Sequence, residues 1–115
     1  MRKVKVVVLG GAGFFGSNIC SRLLKKGNEV ICVDNLSTGS KENMLEFLFN
    51  PLFHLIIHDI TSPISLSGID VVINCVGQDL KDPLHFIKTH SYGTFTTAGI
   101  ARRNNALLLN IISVS

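Results

Sequence analysis

Residues Val4-Lys5-Val6-Val7-Val8-Leu9 run directly into Gly10-Gly11-Ala12-Gly13-Phe14-Phe15-Gly16. The first half is an apolar β-run; the second places glycines at 10, 13 and 16, where the chain leaves the strand and opens a helix. A helix start carries about half a positive charge and four N–H groups without an intrahelical acceptor. A diphosphate laid there is attracted and hydrogen-bonded together. A Cβ on the turn would block the bend, the ligand or the packing of helix on strand. Gly10, Gly13 and Gly16 are therefore the first candidate binding residues, and a dinucleotide is the ligand this pattern suits.

The elements that follow repeat the strand–helix alternation. A helix continues to Lys26, with Ile19, Leu23 and Leu24 as its inner stripe and Gly27 as its stop. Val30-Ile31-Cys32-Val33 is a fully apolar second strand ending at Asp34, and Asn35 to Ser40 form a polar loop. The pattern predicts a short helix around Lys41–Phe49, ended by Asn50-Pro51. A third strand runs from Phe53 to His58 and closes on Asp59-Ile60; Ile69 to Cys75 make a fourth. Asp82-Pro83 offers an N-cap and a first-turn proline to a long helix reaching Asn104, and Leu107 to Ile112 form a fifth apolar strand. Such alternation implies right-handed crossovers and a parallel sheet.

The expected fold class is α/β, a Rossmann-like parallel sheet of about five strands with helices on both faces. Residues 1–115 would form one NAD(P)-binding domain. The fifth strand delivers the chain to Ser115, on the edge where open α/β sheets bind ligands. The expectation is an N-terminal part, with a truncated sheet and the substrate domain absent.

An apolar share of 46% against 17% charged residues suits a sheet buried on both faces. The net charge of +3 is scattered, and no aromatic-interleaved basic stripe exists, which argues against nucleic acid. Cys20, Cys32 and Cys75 each sit in an apolar stretch, an odd set that favours a reducing, cytoplasmic setting over a disulfide framework. Met1-Arg2-Lys3 before valines mimics a signal peptide, but Lys5 and the glycines break the apolar run. No run approaches the roughly 18–20 residues needed to span a bilayer, so no membrane partner is expected. His54 and His58 flank one strand and His85 and His90 stand five apart on a helix, so no metal site is expected.

Asp34 ends the second strand 18 residues after Gly16, a spacing that suits a carboxylate accepting from the adenosine ribose hydroxyls. It would repel a 2′-phosphate, and no Arg follows it in the next several residues, which favours NAD over NADP. Lys41 is the one nearby cation that opposes this inference.

The glycine segment, Asp34-Asn35-Leu36-Ser37-Thr38-Gly39 and His58-Asp59-Ile60 together resemble the extended short-chain dehydrogenase/reductase superfamily. Within it the chain is most similar to the NAD-dependent nucleotide-sugar epimerases, dehydratases and UDP-glucuronate decarboxylases. The resemblance implies that Gly10, Gly13, Phe14 and Phe15 line the pyrophosphate turn. It implies that Asp34, Asn35, Thr38 and Gly39 hold the adenosine ribose and adjoining phosphate, and that Asp59 and Ile60 flank the adenine. Val76 and Gly77 would lie beside the nicotinamide-side ribose, and Ser115, or alternatively Ser113, would be the catalytic hydroxyl. It further implies a nucleotide-sugar substrate, hydride transfer from the sugar C4 to NAD, and a homodimer formed through the long helix.

The departures are as informative. Leu9 stands where the family has Thr, His90 where it has Asn three positions before Gly93-Thr94, and the Gly77–Pro83 segment is shorter. The family's base is a Tyr whose pKa is lowered by a Lys four residues on. Here the only tyrosine is Tyr92, followed at that spacing by Thr96. The chain is expected to bind cofactor without turning over substrate. The alternatives are a non-catalytic dinucleotide-binding module or sensor, and a plain flavodoxin-like interaction domain.

Overall fold

The chain folds as β1 (Lys5–Leu9), α1 (Phe14–Lys25), β2 (Glu29–Asp34), β3 (Phe53–Ile57), β4 (Val71–Asn74), α2 (Pro83–Asn104) and β5 (Leu107–Asn110). A 3₁₀ turn, Lys41–Met44, lies between β2 and β3. The computed structural model describes residues 3–10, 12–36, 41–59, 62–75 and 83–111, the stretch 83–93 by the course of its helix.

All strand pairs are parallel, in the order β3-β2-β1-β4-β5. Val6 to Leu9 of β1 face Val30 to Val33 on one side and Val71 to Asn74 on the other. This central position explains why four consecutive β1 residues are apolar and buried. After β3 the chain crosses to the far side of β1, so the strand order reverses between β1 and β4. That reversal opens a crevice beyond the strands' carboxyl ends.

Alternate residues feed two cores. Val6, Val8, Val30, Cys32 and Phe53 pack with Cys20 and Leu24 of α1, whereas Val7, Leu9, Ile31, Val33 and Val72 pack with Ile100 and Ala101 of α2. Helices thus cover both faces, as expected. The face of α1 matches the predicted stripe in part: Leu24 is buried as expected, with Gly16, Ser17 and Cys20 buried beside it, while Ile19 and Leu23 are only partly buried against the same core. Small side chains at 16, 17 and 20 let the helix lie close to the strands, and this close approach overrides the larger aliphatics.

The predicted helix over Lys41–Phe49 is also corrected. The segment is 3₁₀ over Lys41–Met44, and the bonds Leu45 N–H to Glu42 O, Phe47 N–H to Met44 O and Asn50 N–H to Phe47 O each span three residues. Met44 and Phe47 are its buried anchors, and their three-residue spacing matches a three-per-turn coil. β4 and β5 are shorter than predicted; Ile69 and Asp70 precede β4, and Ile112 lies outside the described residues.

Both helices end on a left-handed residue. Gly27 (φ 85°) donates to Leu24 O and Asn28 N to Leu23 O, while Asn105 (φ 52°) and Ala106 donate to Arg102 O and Ala101 O. These paired bonds satisfy carbonyls left open at the last turn. A Cβ at Gly27 would meet nothing within 4 Å, so Gly27→Ala isolates the backbone term. The expected loss is about 1 kcal/mol, read as a urea-midpoint shift at unchanged m.

The rim at the strands' amino ends is cross-tied. Asn104 Nδ2 donates to Leu66 O and Ile100 O, both at 2.9 Å, and its Oδ1 accepts from Ile69 N at 3.2 Å. Asp70 Oδ2 accepts from Lys5 N at 2.9 Å, and Glu29 Oε2 lies 3.7 Å from Lys5 Nζ and 3.8 Å from His54 Nε2.

Candidate functional site

At the opposite rim, β1 ends at Leu9 and the chain bends through Gly10, whose φ of 78° suits glycine. Gly10 N donates to Val33 O at 2.8 Å, tying the bend to β2. Ala12 is fully buried, and its N–H donates to Asp34 Oδ2 at 2.9 Å. Its carbonyl accepts from Asn43 Nδ2 at 2.7 Å. Gly13 then caps α1 with extended backbone (φ −76°, ψ 175°), donating its N–H to Gly10 O at 3.3 Å.

The start of α1 has the charge pattern and open donors that suit an anion. No side chain caps it and its first turn holds no acidic residue, while Arg22 and Lys25 occupy its last turn. The first intrahelical bond reaches back from Ser17 N to Gly13 O at 2.9 Å, which leaves the Phe14, Phe15 and Gly16 amides without an intrahelical acceptor. A Cβ at Gly13 would meet only Gly10 O, at 3.6 Å, an ordinary contact. Neither conformation nor protein packing demands glycine there. The bare Cα leaves the start of α1 open to close approach, which suits a diphosphate.

Asp34 sits at the end of β2, beside this turn. Its Oδ2 holds Ala12 N, its Oδ1 accepts from Leu36 N at 2.7 Å, and its main-chain O accepts from His58 N at 3.1 Å. The Leu36 contact stabilises an otherwise uncommon left-handed leucine (φ 63°). Each carboxylate oxygen has a second lone-pair direction for a hydroxyl donor. Asp34 therefore does more than the spacing from Gly16 suggests, since it also shapes the turn.

Among the other expected site residues, Gly16 is buried against the sheet, Asn35 and Asp59 are exposed at the ends of β2 and β3, and Asp59 O accepts from Ser62 N at 2.9 Å. Phe14 and Phe15 are 74% and 53% exposed, their rings edge-to-face at 5.8 Å. Their side chains thus open to solvent at the mouth of the turn and do not belong to the core. Thr38, Gly39, Ile60, Val76, Gly77, Ser113 and Ser115 lie outside the described residues. The sequence reading missed Asn43, because a contact across 31 residues leaves no local periodicity or spacing to find.

On the β4 side of the crevice, buried Asn74 donates from Nδ2 to Asn110 Oδ1 at 3.2 Å, and Cys75 N donates to Leu9 O at 2.8 Å. Burial, with Cys20 nearby, pushes the Cys75 thiol from 9.0 up to about 11. The folded state resists ionisation that the unfolded chain undergoes, so this stabilisation is complete below pH 9.0 and is lost as pH rises towards about 11. Urea midpoints should fall over that window, and Cys75→Ala should flatten the fall.

Residues 6–115 match the profile of the NAD dependent epimerase/dehydratase family. UDP-glucuronic acid decarboxylase 4 of Arabidopsis thaliana is 42% identical over 114 residues, covering 94% of this chain and 26% of the plant protein. UDP-glucuronic acid decarboxylase 1 of Danio rerio is 33% identical over 110 residues, covering 91% and 26% respectively. This chain thus spans about a quarter of the length of these relatives. A solved UDP-galactose 4-epimerase superposes at TM-score 0.75 and 27% identity, covering 93% of this chain and 37% of the epimerase. The Bordetella bronchiseptica enzyme WbmF, crystallised with NAD+ and UDP, gives TM-score 0.80 at 25% identity, covering 98% and 39%. With residues 6–115 matched, the chain belongs to the NAD dependent epimerase/dehydratase family.

Proposed function

We propose that this chain is the NAD-binding domain of a nucleotide-sugar epimerase, dehydratase or decarboxylase. The observation that carries the reading is the uncapped start of α1 behind Gly13, where the fold leaves room for a side chain that the sequence withholds. Bound NAD would supply the hydride acceptor for a sugar C4 hydroxyl. The chain's own part is to bind and orient. The amides at the start of α1 hold the diphosphate, Asp34 and Asn35 hold the adenosine ribose with Thr38 and Gly39, and Asp59 and Ile60 flank the adenine. Val76 and Gly77 lie beside the second ribose, and Ser115 or Ser113 offers a hydroxyl to the sugar. The decarboxylase relatives support a UDP-sugar as the substrate.

Calorimetric titration with NAD and NADP tests this reading. NAD should bind and NADP should bind more weakly, because Asp34 would face the 2′-phosphate. An NADP preference overturns the role of Asp34, and a folded chain that binds neither overturns the whole reading.

A second reading, a non-catalytic dinucleotide-binding module, draws on the absence of a Tyr-x-x-x-Lys in the sequence. Both readings give the same outcome for the chain alone: NAD with UDP-glucuronate should release no carbon dioxide. Pairing of two copies through α2 is part of the first reading, supported by the exposed Phe95 on that helix. A cytoplasmic setting is supported by three buried cysteines, all free thiols. Among the described residues no helix is long and apolar enough to cross a membrane.

A further inference from the structure

The peptide joining Ala12 to Gly13 is held at both ends. Its carbonyl accepts from Asn43 Nδ2 at 2.7 Å, and its N–H donates to Gly10 O at 3.3 Å. A trans peptide is planar, with its C=O and N–H opposed, so fixing one group fixes the direction of the other. On the preceding side, Ala12 N is held by Asp34 Oδ2 at 2.9 Å. Two side chains from separate segments therefore grip the one buried residue that leads into the cap of α1. The grip from Asn43 is anchored, because the 3₁₀ turn carrying it is pinned in the core by buried Met44, with Phe47 just beyond. Asn43 itself is exposed at the surface, and its contact with Ala12 ties this turn to the glycine bend.

We infer that Asn43 is a positioning residue for diphosphate binding, setting the plane of the Ala12–Gly13 peptide so that the amides at the start of α1 face the ligand. The inference rests on the dinucleotide reading given above. Asn43 touches no ligand in this role; it acts through Ala12. Two substitutions separate the donor from the bulk. Asn43→Ala removes the side chain, and Asn43→Asp keeps its size while replacing the donor with a carboxylate that repels the Ala12 carbonyl.

The test measures dissociation constants of the full chain for NAD and for adenosine, alongside melting temperature. Losing one net hydrogen bond in the scaffold corresponds to about a tenfold weakening of NAD. Adenosine has no diphosphate, so its affinity should stay within about twofold of wild type in both variants. A general loosening of the fold would instead weaken both ligands together, and that result overturns the inference. So does NAD affinity within about twofold of wild type in both variants. Wild-type chain that binds no NAD overturns the dinucleotide reading and takes this inference with it. Normal wild-type binding with unaffected variants overturns the role of Asn43 alone.

Discussion

Gly13→Ala should abolish most NAD binding while leaving the fold intact or slightly firmer. Gly13 is extended, at φ −76° and ψ 175°, a conformation that alanine adopts freely. The new methyl would lie 3.6 Å from Gly10 O, so the protein accepts it without movement. Replacing glycine at a compatible position usually stabilises by about 0.4–1 kcal/mol, because the unfolded chain loses freedom. The same methyl stands where a diphosphate must approach the amides of α1. Forcing an extra methyl into such a contact costs about 1–3 kcal/mol, and lost amide bonds add to it, so affinity should fall on the order of 100-fold. Calorimetry gives the affinity and thermal unfolding the stability. Parallel loss of both would show that Gly13 serves the fold and not a ligand.

The largest expected effect on stability lies at the other rim. Asn104→Ala removes a side chain that satisfies Ile69 N, Leu66 O and Ile100 O together. Ile69 is only 3% exposed, so its amide has little access to replacement water. Each buried group left unsatisfied costs about 1–3 kcal/mol, and the sum here is about 3 kcal/mol. For a domain of this size that corresponds to a Tm drop on the order of 15 °C. NAD affinity measured well below the transition should be unchanged, since the hydrogen bonds of Asn104 among the described residues all lie at the rim opposite the glycine bend. Asn104→Asp keeps the acceptor for Ile69 N but sets a carboxylate oxygen against the Leu66 and Ile100 carbonyls, so it should destabilise at least as much as alanine.

Much of this architecture was legible because its signals are local. The apolar run into Gly10, Gly13 and Gly16 announces the first strand, bend and helix, and Val30 to Asp34 announces the second strand with its terminal acid. What stayed hidden was set by distant partners. Asn43 and Asn104 look like loop and helix-end polar residues until the fold brings them to Ala12 and to the 64–69 connector. The segment after Lys41 has enough apolar residues for a helix, yet Met44 and Phe47 reach the core only at a three-residue repeat. In α1 the choice between Ile19 and Cys20 as the inward residue turns on how closely a helix can approach β1. Periodicity alone does not contain that distance.

Because every strand points the same way, the molecule has two rims with separate duties. One carries the glycine bend and the open amides; the other carries the ties of Asn104 to Ile69, Leu66 and Ile100 and the contacts that link Asp70 to Lys5, Lys5 to Glu29 and Glu29 to His54. Substitutions that tune recognition can accumulate on the first without loosening the second. Such a scaffold is evolvable: its chemistry can drift across a lineage while its foundation stays put.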